Sequence, residues 1–153
     1  MRSLSYVAVD GVALTAATAK TVFEFAAGAQ RVVRVAAFGI CMRSVTATDG
    51  PALFEIETDD TGATTGTGTG VVETNWNYTS TGTAGVTVKH TLTVEPASFA
   101  LDRTFQWRVP VNGPYTEYFP LGDELILPVS SISRFRLTAP QAQTALMWVK
   151  FAD

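Results

Sequence analysis

The chain of 153 residues contains one cysteine and one histidine, and these two scarcities remove much of the chemistry open to a small protein. The lone thiol, Cys41, closes no intrachain disulfide. Set in the apolar run FGICM (38–42), it reads as an inert core residue. Metal sites draw on several ligands, and here an imidazole or thiolate donor set has only His90 and Cys41 to offer. Charge is scarce as well: charged residues make up 16% of the chain, against about 25% in an ordinary soluble domain. Two readings follow, that threonine carries the surface and that another subunit covers part of it, and both are expected here. Basic blocks are missing too, with a net charge of −3. Arg31 with Arg34 and Arg134 with Arg136 are pairs and not a stripe, whereas phosphate recognition needs a basic patch. Nucleic-acid binding is therefore not expected.

Long apolar runs are absent. Nothing approaches the roughly 20 residues of a membrane span, and Asp10 interrupts the apolar segment after Arg2 too early for a signal peptide. A soluble product made in a cytoplasm is expected. Helical spacing is nearly absent. Only Ala13–Lys20 holds it, and Thr15 and Thr18 limit that window to a short turn of helix.

What the chain does have is alternation. Val86–Glu95 reads VTVKHTLTVE, with Val86, Val88, Leu92 and Val94 on one side and Thr87, Lys89, Thr91, Thr93 and Glu95 on the other. A period of two is what a half-buried strand requires. The same period recurs at Tyr6–Asp10, Thr21–Phe25 (Val22 against Phe23 and Phe25), Leu53–Thr58, Phe105–Val109, Leu125–Val129, Ser133–Ala139 and Thr144–Phe151. It also runs through Arg31–Met42, where Val33, Val35, Ala37 and Cys41 fall in one row. Turns are marked at Asp10-Gly11, Asp49-Gly50-Pro51, Asn112-Gly113-Pro114 and Gly122-Asp123. Eight to ten short antiparallel strands predict an all-β chain, a single-domain β-sandwich of jelly-roll-like form. Residues 1–27 are expected as an N-terminal arm or first strands and 28–153 as the sandwich domain. Within it, 58–85 reads as a flexible loop, because Thr61–Gly70 (TGATTGTGTG) buries too little apolar surface to offset its ordering entropy.

Candidate chemistry is thin. GTGTG lacks the lysine of a phosphate loop and does not enter a helix. Asp59-Asp60 and Asp123-Glu124 lack the oxygen count and spacing of a calcium loop. A triad around His90 needs an orienting carboxylate and a nucleophile, and its neighbours Lys89 and Thr91 point the other way. His90 is expected in the core or at a protomer interface. Trp107 and Trp148 lie in strand patterns, as core or sheet-face residues. Trp76, with Tyr78 in NWNY, suits an interface anchor or a sugar-stacking site.

The runs YVAVDGVALTAATAKTVFEF (6–25) and ALDRTFQWRVPVNGPYTEYFPLGDELILPVSSISRFRLTAP (100–140) resemble small head proteins of tailed phages, the capsid decoration or cement proteins. The resemblance spans most of the chain in length, β-pattern and phrasing. It implies a structural virion protein with no catalytic residue and no cofactor, placed on the outer capsid surface. The partners it implies are the major capsid protein and copies of itself, as a homotrimer. The N-terminal segment, with Leu4, Tyr6 and Val7, would then pair with an exposed strand edge. Trp76, Tyr78, His90, Arg134 and Arg136 would be further capsid or protomer contacts. The alternative is a receptor- or carbohydrate-binding module of a phage fibre.

Overall fold

Twelve strands, hydrogen-bonded in two antiparallel sheets, make up the regular structure in the computed structural model, which describes residues 4–30, 32–43, 50–61, 64–70, 74–75, 86–95, 99–101 and 103–152. They are β1 (Leu4–Leu14), β2 (Ala19–Ala27), β3 (Val33–Arg43), β4 (Ala52–Asp59), β5 (Thr67–Gly70), β6 (Thr74–Asn75), β7 (Val86–Val94), β8 (Arg103–Val109), β9 (Asn112–Tyr118), β10 (Leu125–Leu127), β11 (Ile132–Thr138) and β12 (Gln143–Ala152). Sheet I has the order β10-β3-β12-β1-β6, with β9 also beside β3, and sheet II the order β5-β7-β2-β11-β4-β8.

The chain crosses between the sheets at nearly every step. Strands β1, β3, β9, β10 and β12 belong to sheet I, and β2, β4, β8 and β11 to sheet II. Leaving β5–β7 aside, the orders β1-β12-β3-β9/β10 and β2-β11-β4-β8 are those of a jelly roll. The β-sandwich expected from the alternation is the fold of this chain. Residues 1–27 contribute β1 and β2, one strand to each sheet; β1 is paired with β12 of its own chain from Leu4 to Leu14.

The two sheets bury a core of aromatic and branched side chains. Phe25 stacks on Phe135 at 4.9 Å and meets Phe151 of the opposite sheet edge-on at 5.2 Å. Phe38 and Phe54 bridge the sheets at 4.7 Å. Each of these rings is buried, which stabilises the fold by about 1.5–3 kcal/mol per side chain.

Three irregularities change which residues face that core. In β3 the pairing with β12 shifts around Ala36, so Val33 and Val35 point inward and the parity then switches to Phe38, Ile40 and Met42. The expected row of Val33, Val35, Ala37 and Cys41 is thus broken after Val35, because one extra residue in a strand reverses every side chain beyond it. Cys41 lies half-buried on the outer face and not in the core. In β2 a shift between β11's Phe135 and Arg136 leaves Val22 in the core together with Phe23 and Phe25, not opposite them. In β7, Thr91 sits at φ +48, a conformation costly for a β-branched residue. Val86 and Val88 before it join the core, whereas Leu92 after it is buried outside the core cluster and Val94 is exposed.

Two turn expectations also change. Asp10-Gly11 is a bulge inside β1, with Gly11 at φ +69 and its N–H bonded to Asp10 Oδ1 at 2.7 Å. Asn112-Gly113-Pro114 opens β9. The Ala13–Lys20 window ends β1, turns at Ala16 and Ala17, and starts β2 without helix.

The Thr/Gly run is only partly loop. Thr67–Gly70 forms β5, an edge strand on β7, and Gly66 is buried. Its N–H donates to Glu24 Oε2 at 2.7 Å, and its carbonyl accepts from Lys89 Nζ at 2.8 Å. A Cβ on Gly66 would lie 2.5 Å from Leu92 Cδ2 and 2.5 Å from the Val94 carbonyl. Glycine here is what permits close approach to β7.

Candidate functional site

The two outer faces of the sandwich differ in chemistry, and their registers show how. Across sheet II one row runs Gly70, Lys89, Glu24, Arg134, Glu57, Thr104. Opposite charges therefore stand on neighbouring strands, the favourable cross-strand arrangement. Arg134 Nε donates to Glu57 Oε2 at 2.8 Å, and its Nη1 to Glu95 Oε2 at 3.4 Å. Arg136 Nη1 donates to both oxygens of Glu57 at 3.3 and 3.2 Å. Glu95 also accepts from the Thr21 N–H at 3.2 Å and hydroxyl at 2.6 Å. The Arg134 guanidinium covers the Phe99 ring at 3.8 Å. Both arginines expected as capsid contacts are thus mostly buried and held by carboxylates of their own sheet.

At the end of β4, Asp59 fastens two loops. Its Oδ1 accepts from the Thr61 N–H and hydroxyl, each at 2.7 Å, and its Oδ2 from the Ala100 N–H at 2.6 Å. These bonds, led by the Thr61 hydroxyl, hold its carboxyl below the ordinary carboxylate value.

The outer face of sheet I is built otherwise. Its rows run Leu4, Ala152, Arg34; Tyr6, Lys150, Ala37, Tyr118; Ala8, Trp148, Gly39, Thr116; and Leu146, Cys41, Pro114, followed by Thr144, Arg43, Asn112. Three cations, Arg34, Arg43 and Lys150, stand in these rows, and Asp10 of the β1 bulge lies opposite Leu146. The centre is aromatic: Tyr6 stacks on Trp148 with centroids 6.1 Å apart and planes 29° apart. Lys150 Nζ lies 5.8 Å from the indole, within cation–π range. The indole lies against Gly39, where any Cβ would overlap Trp148 Cε2 and Nε1. A flat ring on the sheet surface thus depends on a residue without a side chain in the next strand.

At one end of this face, Leu4, Ala152, Phe119 and Leu121 with Arg34 and Glu124 line a mainly apolar hollow of about 220 Å³, with Leu121 94% exposed at its rim. A second cleft, of about 350 Å³, opens between the edges of the two sheets. Phe105, Trp107 and Phe119 form its apolar wall, and Arg103, Asp123 and Glu124 its polar one.

Of the residues singled out in the sequence, Leu4 and Tyr6 stand on the sheet I face. Val7 does not; it is 1% exposed and packs in the core, since it alternates with those two. His90 is half-buried beside Phe23, and its Nδ1 lies 3.0 Å from Thr91 Oγ1. Trp76 and Tyr78 lie outside the described residues. Sequence reasoning missed Gly39, Lys150, Arg34, Tyr118 and Leu121 as members of one surface. The available signal was the even-numbered row of β12, Leu146, Trp148, Lys150, read as a face in its own right.

No family model matches the chain, and neither does a curated protein or a solved structure. The site therefore has to be read from its own geometry. Among the described residues no three His, Cys, Asp or Glu side chains gather as a metal site, and no helix is long and apolar enough to cross a membrane. The arrangement can offer aromatic surface, hollows with apolar walls and basic side chains to a partner.

Proposed function

We propose that the protein is a structural virion component that decorates a phage capsid, binding the assembled shell through the outer face of sheet I and associating with copies of itself. The observation that supports this is the asymmetry of the two faces. Sheet II ties Arg134 and Arg136 to Glu57 and Glu95, whereas sheet I sets Tyr6 stacked on Trp148 at its centre, with Arg34, Arg43 and Lys150 in the rows around them. An aromatic centre with a charged surround is the make-up of a binding hot spot. A ligand that binds only the assembled shell stabilises it by mass action, and many symmetric copies add their effects. The resemblance to decoration proteins implies a trimer, which mass photometry of the free protein counts.

Co-sedimentation with purified heads tests the reading. Trp148→Ala with Lys150→Glu should abolish binding, while Thr87→Glu, exposed on sheet II, should leave it intact. Equal binding by both variants would remove the sheet I face from the account. A glycan-binding module is the second reading. The cleft favours it, because Phe105 and Trp107 provide rings to stack on and Asp123 and Glu124 provide acceptors for hydroxyls. A glycan array that stays blank at high protein concentration sinks it.

A further inference from the structure

Native sheets blunt their open edges with short strands, prolines, kinks or lysines, since a bare row of N–H and C=O groups templates another strand. Most edges here follow that rule. β5 has four residues, β6 two and β10 three, and β9 carries Pro114 and Gly113 at φ +140. β8 follows it least. It spans seven residues, RTFQWRV, without glycine or proline, carries Arg103 and Arg108 as its only charged side chains, and pairs with β4 on one side only among the described residues. Phe105 on this strand is 42% exposed.

We propose that β8 pairs antiparallel with β8 of a second copy, across a two-fold axis through Gln106. The strand is self-complementary in that register. Phe105 falls opposite the partner's Trp107, Thr104 opposite the partner's Arg108, and Arg103 opposite the partner's Val109, so no arginine faces an arginine. The inner rows of sheet II also join. Leu137, Phe54 and Trp107 are register neighbours, as are Phe135, Ile56 and Phe105. Across the axis the first row continues into the partner's Phe105, the partner's Ile56 and the partner's Phe135, apolar throughout. On the outer face Gln106, which donates to Glu55 Oε1 at 2.7 Å, meets the partner's Gln106, and each amide can both donate and accept. A slip of one residue would set Arg103 against the partner's Arg108 and turn the aromatic row of one copy to the outer face of the other. The contact is isologous and closes at two copies. It rests on the self-association in the reading above, gives it as a dimer where the resemblance implies a trimer, and is independent of the capsid partner.

Cross-linking reads the register directly. Directly opposed residues on antiparallel strands have Cα atoms about 4.5–5.5 Å apart, within the range of a disulfide. In a Cys41→Ser background, Gln106→Cys should give a covalent dimer on mild oxidation, because residue 106 faces itself. Thr104→Cys alone should not, and Thr104→Cys combined with Arg108→Cys should. Both Thr104 and Gln106 are exposed, so these changes leave the core untouched. Sedimentation velocity should show a monomer–dimer equilibrium in the micromolar range, as expected for an interface below about 1,200 Å², and Phe105→Lys should shift it to monomer. A protein that stays monomeric at every concentration, with no cross-link, overturns this inference and self-association together. An oligomer in which Gln106→Cys does not cross-link overturns the β8 contact alone. Equal cross-linking by Thr104→Cys overturns the register.

Discussion

The threonine–glycine run offers the sharpest test of how this fold is held, because its glycines are chemically alike and structurally different. Gly66→Ala places a methyl 2.5 Å from Leu92 Cδ2 and from the Val94 carbonyl, and 3.1 Å from Glu24 Oε2. Leucine can rotate away, but the backbone carbonyl of β7 cannot, so the segment must shift and stretch the Gly66–Glu24 hydrogen bond. Overpacking of this kind costs about 1–3 kcal/mol, and a weakened bond to a charged group adds about 1 kcal/mol more. A total near 3 kcal/mol lowers Tm by about 6–12 °C for a domain of this length. Gly68→Ala meets the His90 carbonyl at 2.9 Å and Leu92 Cδ1 at 3.1 Å, and should cost less than half as much. Gly70→Ala meets nothing within 4 Å and should be neutral or slightly stabilising. Thermal unfolding followed by circular dichroism ranks the three, and hydrogen exchange at β7 shows whether Gly66→Ala detaches the segment locally. Equal Tm values for all three variants, with unchanged exchange, would mean that 64–70 does not pack on β7 and that the composition argument for a loose loop was right.

Three further perturbations follow from the same sheet and its neighbours. Glu24 is 1% exposed, its Oε1 makes no hydrogen bond, and Lys89 Nζ stands 3.9 Å away. Lys89→Met should destabilise by about 2 kcal/mol in urea titration, below the figure for a fully buried pair because Lys89 is partly exposed, and adding Glu24→Gln should recover part of the loss. The Thr61 and Ala100 hydrogen bonds hold the Asp59 carboxyl below the ordinary carboxylate value, so its contribution is present above that ordinary value and disappears as pH falls through the lowered one. Asp59→Asn should flatten Tm against pH in the acid range, and an unchanged acid limb refutes the Thr61 and Ala100 bonds. Burial, and then the Glu117 carboxylate that its hydroxyl reaches at 2.7 Å, push Tyr115 up to about 12. That contribution is full below pH 10 and lost as pH rises toward 12. In Tyr115→Phe the tyrosinate transition lost from the ultraviolet titration should be the one at highest pH; loss of an ordinary one instead contradicts the Glu117 contact.

The two-residue period of β4, β8 and β12 was legible because those strands alternate without interruption. Phe54 and Ile56 point in, Glu55 and Glu57 out, and Ala145, Met147, Val149 and Phe151 are all buried. The errors fall where one residue is added or one dihedral reversed. Ala36 in β3 and Val22 in β2 are ordinary apolar residues that give no sign of a bulge, so the parity of Cys41 was read backwards. Thr91 at positive φ belongs to the residue class least expected there. The sheet I surface was legible only in fragments. Tyr6 and Trp148 meet because β1 and β12, the ends of the described chain, are neighbours, and no local pattern carries a pairing between segments so far apart. The arginines misled for a related reason. Arg134 and Arg136 look like a free basic pair along β11, and only the register with β4 shows that Glu57 holds both.

The adjacency of β1 and β12 also sets a clock. Every row of the sheet I surface takes a residue from β12, which follows the other described strands in chain order, and it is β12 that joins β1 to β3. Until β12 is inserted, Tyr6 has no indole to stack on, and Gly39 faces empty space. A nascent or truncated chain therefore presents an unzipped sheet in place of a binding surface, and closure must wait for contacts of high sequence separation, which form slowly. The sticky face cannot exist before β12 has been made and has paired with both β1 and β3.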